Sequence, residues 1–170
     1  LMAIAFIVTT WFINPLCFAL SPVALLVILG YSFTKRFTWL CHLVLGLGLG
    51  LAPVGAYLAV TGRFDVLPVL YGFMVMCWVG GFDILYALQD ETFDREQGLH
   101  SMPGRFGKAG AIRISRLLHV ACAVLLVVIG ILQSRQLDTL DWLHWVGTAA
   151  FMAVGAYAAY NFFVRINSVT

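Results

Sequence analysis

The sequence predicts an all-α protein, a polytopic bundle of about six transmembrane helices, and two observations support this prediction. Hydrophobic residues make up 62% of the chain and charged residues only 11%, whereas about 25% of the residues in a typical soluble domain are charged. The apolar residues are also gathered into long stretches, and about 18 or more such residues are enough for a helix to cross a bilayer. A soluble globular domain is therefore excluded, and the net charge of +2 gives no reason to expect nucleic acid as a partner.

Six apolar segments follow one another along the chain. They are residues 1–19, 23–33, 39–60, 66–88, 111–132 and 142–164. Asn14-Pro15 interrupts the first segment. Ser21-Pro22 predicts the start of the second, because Ser often caps a helix and Pro is tolerated in the first helical turn. The third segment carries glycines whose spacing predicts close packing against a neighbouring helix. These are Gly46, Gly48, Gly50 and Gly55.

The four cysteines lie inside apolar segments, and none stands in a Cys-x-x-Cys pair. They are Cys17, Cys41, Cys77 and Cys122. We interpret them as small buried hydrophobic residues rather than as a disulfide or metal framework. No secretory signal is visible, and the chain opens on Leu1 inside an apolar segment, so we expect it to be part of a longer protein.

The basic residues indicate which helix ends share a membrane face. If the six segments alternate in direction, Arg63 and Arg135 fall on one side and the other eight basic residues fall on the opposite side. The eight are Lys35, Arg36, Arg95, Arg105, Lys108, Arg113, Arg116 and Arg165. Because positively charged loops stay on the cytoplasmic side, we expect the loop around Lys35 to share the cytoplasmic face with the residues that follow the fourth segment.

Residues 81–107 join the fourth segment to the fifth and contain five of the eight acidic residues. Charges beside a membrane span are costly unless they are paired or solvated. If the fourth helix continues through this stretch at 100° per residue, Asp83, Asp90 and Asp94 fall within about 40° of one another. Tyr86 lies beside them, whereas Glu91 and Glu96 point away from them. The aspartates are therefore predicted to form one stripe.

Asp90 and Asp94 are one helical turn apart, or about 6 Å along the axis. Carboxylates at this spacing can hold the same cation or neighbouring cations, and Mg²⁺ commonly takes one or two carboxylates together with waters and substrate phosphates. The pair therefore predicts a Mg²⁺ site, with a solvated helix end as the simpler alternative. An unpaired charge at Asp83, about two turns inside the helix, would cost about 2.5–3.5 kcal/mol, so we expect a polar cavity or a positive partner there.

The acidic stretch resembles the second aspartate-rich motif of the UbiA superfamily of membrane prenyltransferases. It reads Asp83-x-x-Tyr86-Ala87-x-x-Asp90-x-x-x-Asp94, followed by Gly98, Ser101 and Arg105-Phe106-Gly107. The segment Tyr31-Ser-Phe-Thr-Lys35-Arg36 resembles the family's Tyr-x-x-x-Lys element. The resemblance is greatest to the 4-hydroxybenzoate polyprenyltransferase branch and its menaquinone-pathway relatives. Two motifs in the family's order, on one predicted face, make the resemblance specific.

The resemblance implies a nine-helix fold, to which this chain would contribute from about the third helix to the eighth. Residues 1–170 would form a single transmembrane prenyltransferase domain, incomplete at both ends. Family members also carry a first motif, Asn-x-x-x-Asp-x-x-x-Asp, nearer the N-terminus. The asparagines here, Asn14, Asn161 and Asn167, are not followed by that pattern. We therefore expect half of the metal site to lie outside this sequence and the chain alone to be inactive.

The resemblance also implies an activity, which is Mg²⁺-dependent transfer of a polyprenyl group from its diphosphate to an aromatic acceptor. The acceptor would be 4-hydroxybenzoate or a related precursor of ubiquinone or menaquinone, in a bacterial inner membrane. Asp90 and Asp94 would hold the metal, and Lys35 and Arg36 would contact diphosphate oxygens. Tyr31 would hydrogen-bond the diphosphate or cap the cavity.

Four further residues are candidates for substrate binding or catalysis. Asp83 would position the acceptor or join the metal shell, and Tyr86 would lie beside it on the substrate side. His100, next to Ser101, would either shape the loop or take an acid–base or phosphate-binding role.

Two other classes of membrane protein also use clustered carboxylates. The signature of CDP-alcohol phosphotransferases resembles Asp-Gly-x-x-Ala-Arg, whereas Asp83 is followed by Ile-Leu-Tyr-Ala, which disfavours that class. The remaining alternative is a transporter segment with a cation-binding carboxylate cluster. It predicts charges spread along the helices near mid-bilayer, whereas the charges of this sequence gather at one face.

Overall fold

All regular structure in the computed structural model is α-helical within the residues that it describes, which are 1–134 and 141–168. The all-α prediction is confirmed. The helices are α1 (Met2–Ile13), α2 (Pro15–Thr34), α3 (Cys41–Thr61), α4 (Val66–Ala87), α5 (Glu91–Glu96), α6 (Met102–Ser134, with a non-helical break at Gly107) and α7 (Asp141–Ser168). Arg135, one of the two basic residues predicted on the far side, lies outside the described residues.

The first apolar segment is divided at Asn14, where α1 ends and α2 begins. Asn14 is extended (φ −166°, ψ 162°), and its Oδ1 accepts a hydrogen bond from the backbone N–H of Cys17 at 2.8 Å. This bond caps the helix N-terminus, and Pro15 follows at the first helical position, where its missing N–H leaves nothing unsatisfied. Asn14 Nδ2 also donates to the carbonyl oxygen of Leu58 in α3 at 2.8 Å. One side chain therefore fixes the break and ties it to α3.

The predicted helix start at Ser21-Pro22 is wrong, because α2 runs through both residues. A proline inside a helix removes the N–H that would bond the carbonyl four residues earlier, which here belongs to Phe18. Ser21 Oγ donates to this carbonyl oxygen at 2.9 Å and replaces the missing donor, as hydroxyl side chains do in membrane helices. The Ser–Pro pair therefore sits inside a continuous helix.

Among the described helix pairs, α3 and α4 share the most extensive contact. A Cβ atom on Gly50 would lie 2.5 Å from the carbonyl oxygen of Gly72, and one on Gly46 would lie 2.5 Å from that of Met76. Side chains do not tolerate such approaches, so only glycine lets the two backbones touch. The predicted close packing of the third segment is confirmed at these positions.

Within the described residues, four helices are long and apolar enough to cross a membrane, and they are α2, α3, α4 and α6. Many of their large apolar side chains are exposed, including Leu26, Phe73 and Leu117. Such surfaces are stable in lipid rather than in water. The chain is therefore an integral membrane protein by the length and composition of its helices.

The chain divides into two compact units, Leu1–Leu125 and Leu126–Thr170. The first unit contains α1 to α5 and most of α6, and the second contains the end of α6 and α7. A buried apolar core joins α4 to α6 within the first unit. Its members are Ile84, Met102 and Ala111. Ser115 Oγ in α6 also donates to the carbonyl oxygen of Gly81 in α4 at 2.8 Å. All four cysteines are buried, as predicted.

Replacing Gly50 with Ala is expected to lower the free energy of unfolding by about 1–3 kcal/mol, because the added methyl group forces α3 and α4 apart. The measurement is reversible unfolding in mixed micelles or bicelles. Gly55→Ala is the matched control in the same helix, because a Cβ there meets nothing within 4 Å. The control is expected to be neutral or stabilising by up to about 1 kcal/mol. Equal stabilities of the two variants would contradict the α3–α4 contact.

Candidate functional site

Two polar loops meet at one end of α2, α3 and α4. The first joins α2 to α3 and carries Lys35, and the second leads from α4 through α5 to α6 and carries Asp94. Lys35 Nζ lies 2.7 Å from Asp94 Oδ1. The backbone N–H of His100 donates to the Lys35 carbonyl oxygen at 2.7 Å, and the thiol of Cys41 donates to the His100 carbonyl oxygen at 3.5 Å. The prediction that the two loops share one end of the helices is confirmed.

Asp94 is a buried carboxylate with an unsatisfied oxygen. Its exposed fraction is 2%, and Lys35 compensates its charge at Oδ1. Within the part of the chain that the structure describes, neither Oδ1 nor Oδ2 has a partner in hydrogen-bond geometry, so the Lys35 contact is an ion pair and Oδ2 has no partner of any kind. A buried anionic oxygen without a donor is unfavourable and attracts a cation or donor supplied by a ligand. Asp94 therefore has the chemistry of a metal ligand.

The end of α5 fixes the backbone around Asp94. Gly98, two residues after Glu96, is left-handed (φ 63°). The Gly98 N–H donates to the Arg95 carbonyl oxygen at 3.3 Å, and the Leu99 N–H donates to the Asp94 carbonyl oxygen at 2.8 Å. These two bonds form a Schellman motif, in which glycine is favoured because it takes a positive φ without strain. The motif turns the chain so that His100 reaches the α2–α3 loop.

The predicted continuation of the fourth helix through the acidic stretch is wrong. α4 ends at Ala87, and Asp90 precedes the separate helix α5. The end of α4 tightens, since the N–H of Gln89 bonds to the Tyr86 carbonyl oxygen three residues earlier at 3.0 Å. Loop-to-loop contacts override helical periodicity here, because Asp94 turns inward to its ammonium partner. The three aspartates therefore do not form a stripe on one helix.

Five of the predicted site residues line one pocket of about 210 Å³, which we refer to as the α2–α4 pocket. They are Tyr31, Lys35, Asp83, Tyr86 and Asp90. The lining is completed by Ser32, Cys41, His42, Leu45 and Ala87. Two carboxylates and one ammonium thus adjoin apolar side chains of three membrane helices. This composition suits a ligand with a charged head and an apolar tail.

A second pocket of about 360 Å³, the α5–α6 pocket, borders the other part of the acidic stretch. Its lining is Trp39, Glu91, Asp94, Arg95, Gly98, Leu99, His100, Ser101, Gly104 and Arg105. Because Lys35 lines one pocket and Asp94 the other, their ion pair joins the two. Asp90 and Asp94 border different pockets, and within residues 1–134 and 141–168 no three His, Cys, Asp or Glu side chains are grouped to hold a metal. Joint binding of one cation by the two aspartates stays a prediction.

Three predicted site residues have local roles that the structure makes visible. Ser101 Oγ accepts a hydrogen bond from the N–H of Gly104 at 3.2 Å, so Ser101 caps the N-terminus of α6. His100 holds the α2–α3 loop through its backbone and is one of the residues that line the α5–α6 pocket. Arg36 borders a third pocket, and its Cζ lies 5.9 Å from the centroid of the Phe33 ring.

His42, to which no role is assigned from the sequence, contacts Asp83 directly. Its Nδ1 lies 2.7 Å from Asp83 Oδ2, and only 2% of the residue is exposed. The backbone N–H of Met102 donates to His42 Nε2 at 3.3 Å. Asp83 is expected from the sequence to meet a polar cavity or a positive partner, and the structure places it at the α2–α4 pocket with His42 as its hydrogen-bonding neighbour. The signal that could have identified it is its position one residue into α3, at the helix end that faces the same loops.

The UbiA prenyltransferase family matches residues 1–169 of the chain. A similar relative is the 4-hydroxybenzoate octaprenyltransferase of Francisella tularensis subsp. novicida, which is 33% identical over 120 residues, or 71% of this chain and 42% of that protein. The protein of the same name from Tolumonas auensis is 34% identical over 133 residues, or 78% of this chain and 46% of that protein. This chain thus spans less than half the length of these two relatives.

The apo structure of a UbiA homolog from Aeropyrum pernix K1 resembles this fold. The TM-score is 0.78 at 29% identity, and the alignment covers 94% of this chain and 61% of that one. The helical architecture and the family match over nearly the whole sequence agree. The chain belongs to the UbiA prenyltransferase family.

Proposed function

We propose that the full natural protein transfers a polyprenyl group from polyprenyl diphosphate to an aromatic acceptor, 4-hydroxybenzoate or a related quinone precursor, with Mg²⁺ as cofactor. The observation that carries the proposal is the 2.7 Å ion pair between Lys35 and Asp94, beside a pocket that combines charged and apolar walls. Family membership supports prenyl transfer, and the names of the relatives support an acceptor of this class. The charges gather at one end of the helices, which disfavours the transporter alternative.

The proposed site lies on the cytoplasmic face of a bacterial inner membrane, where its product would enter ubiquinone or menaquinone synthesis. Lys35 and Arg36 follow α2 at the site end of the helices, and Arg105 and Lys108 lie near the start of α6, at the same end. Arg63 lies at the opposite end, between α3 and α4. This asymmetry supports a cytoplasmic site, because basic loops are retained in the cytoplasm.

Asp90 and Asp94 would hold the magnesium. Asp94 offers its unsatisfied Oδ2, and the exposed Asp90 lies one turn earlier, with its carbonyl oxygen accepting the N–H of Asp94 at 2.8 Å. When bound, Mg²⁺ supplies positive charge that stabilises a departing diphosphate. Both carboxylates stand at the edge of pockets that a diphosphate could reach from the loops.

Lys35 would couple the binding of the metal to that of the diphosphate. Its side chain is 33% exposed and carries a point charge on a flexible four-carbon stem. Without ligands, the ammonium neutralises Asp94. A diphosphate in the α2–α4 pocket would offer phosphate oxygens as a second anionic partner, and Tyr31 in the same lining would donate a further hydrogen bond. Movement of Lys35 to the phosphate would release Asp94 for a cation.

The remaining lining of the α2–α4 pocket suits the apolar chain and the acceptor. Leu45 and Ala87 provide apolar walls that continue into the membrane helices, and such walls would exclude water from the reacting allylic carbon. Asp83 and Tyr86 border the same pocket. Asp83 would position the acceptor or join the metal shell, and Tyr86 would contact the substrate.

Asp90→Asn and Asp94→Asn are each expected to lower Mg²⁺-dependent prenyl transfer by about 100-fold or more, because an uncharged amide no longer anchors the cation that stabilises the leaving group. The assay uses labelled polyprenyl diphosphate and 4-hydroxybenzoate with membranes that contain the full natural chain, over a series of Mg²⁺ concentrations. Glu96→Gln makes the same charge change in α5, outside the lining of both pockets, and is expected to stay near the wild-type rate. Unchanged turnover in both aspartate variants would refute the metal assignment.

Lys35→Met is expected to bind Mn²⁺, used as a probe for Mg²⁺, several-fold more tightly than the wild type in the absence of diphosphate, because the competing ammonium is gone. The same variant is expected to bind inorganic pyrophosphate about 10-fold more weakly, since one charge-assisted hydrogen bond is lost. Calorimetry measures both affinities. Lys108→Met, at an exposed position of α6, is the matched control. Equal Mn²⁺ affinities in wild type and Lys35→Met would contradict the coupling.

A further inference from the structure

We propose that His42 is a positioning residue, a neutral imidazole protonated on Nδ1 that fixes the carboxylate of Asp83 in the α2–α4 pocket. This inference rests on the proposed function, because Asp83 borders the same pocket as the residues assigned to the diphosphate and the metal. It adds a specific task for a histidine that neither sequence motif contains.

Contacts at both ring nitrogens are the basis for assigning the ring proton of His42. The backbone N–H of Met102 donates to Nε2 at 3.3 Å, and since a backbone amide can only donate, Nε2 carries the lone pair. The ring proton is then on Nδ1, which donates to Asp83 Oδ2 at 2.7 Å. In this assignment the imidazole is neutral and its Nδ1–H faces the carboxylate of Asp83.

Three elements hold the imidazole in a single orientation. His42 lies in the first turn of α3, Asp83 in the last two turns of α4, and Met102 at the first position of α6. His42 and Met102 are 2% and 1% exposed, and Met102 belongs to the core that includes Ile84. The Met102 N–H is one of the amides that a helix start leaves without an internal partner. A ring held from both sides has no freedom to turn its donor away from Asp83.

The held carboxylate differs from a free one in two ways. Asp83 is partly exposed, with 34% of its side chain accessible, so without His42 it could rotate within the pocket. It could also pair with Lys35, which lines the same pocket, in place of Asp94. Because His42 binds Oδ2, the other oxygen of Asp83, Oδ1, points in a fixed direction into the pocket. The ammonium of Lys35 then stays paired with Asp94. Hydrogen-bond partners that orient metal-ligating side chains change the function of such sites by about 10–100-fold, and we expect an effect of similar size here.

The first test is the tautomer, measured by nitrogen NMR of the full natural chain in lipid nanodiscs with ¹⁵N-labelled histidine. The expected spectrum contains one ring with a protonated Nδ1 and an unprotonated Nε2. That signal is expected to disappear in His42→Asn and to shift in Asp83→Asn. A His42 ring protonated on Nε2, or on both nitrogens, would overturn the proposal. This measurement does not depend on prenyl transfer, so it decides the role of His42 even where the proposed function fails.

The second test is kinetic. His42→Leu is expected to lower kcat for prenyl transfer by about 10–100-fold with little change in KM for the diphosphate. His42→Asn retains an N–H donor near the position of Nδ1 and is expected to recover most of the rate. His119→Leu is the control, since this histidine of α6 packs against the rings of Trp78 and Phe82 and is expected to keep kcat. An unchanged kcat in a folded His42→Leu protein would overturn the proposal.

Discussion

The ion pair between Lys35 and Asp94 is the interaction on which the candidate site depends. It joins two loops that are far apart in sequence, and the hydrogen bond from His100 to the Lys35 carbonyl closes the same junction. Loss of one partner from a buried pair costs about 3–5 kcal/mol, and the one-third exposure of Lys35 puts this pair near the low end. The same charges suit the proposed function. Asp94 pairs with the ammonium of Lys35 when no ligand is bound, and it is therefore suited to bind a metal cation that arrives with the substrate.

The helices below the loops set the distances at which these groups meet. α3 and α4 approach through glycine, at Gly50 and Gly72 along their length and at Gly80 near the site, where a Cβ would lie 3.3 Å from the carbonyl oxygen of His42. This approach lets His42 reach Asp83 across the helix pair. The glycine-mediated packing of α3 on α4, which is common between membrane helices, therefore determines the position of Asp83 in the pocket.

Composition and charge placement were enough to predict the helical membrane fold and the meeting of the loops that carry Lys35 and Asp94. Periodicity was not enough where a partner far along the chain decides the local structure. The start predicted at Ser21-Pro22 fails because a hydroxyl replaces the bond that proline removes, and the continuous aspartate helix fails because a buried ion pair redirects the chain. His42 could not be assigned because its role exists only through contacts with Asp83 and α6. Local rules thus predict the elements, and the site depends on contacts between them.

Lys35 and Asp94 interact directly and thereby hold the two loops together. A double-mutant cycle with Lys35→Met and Asp94→Asn, measured as free energies of unfolding of the full natural chain in bicelles, tests it most directly. Each single variant is expected to be destabilised, and the double variant is expected to lose less than the sum of the two losses, with a coupling energy of about 1–3 kcal/mol. Strictly additive losses, within about 0.5 kcal/mol, would contradict it.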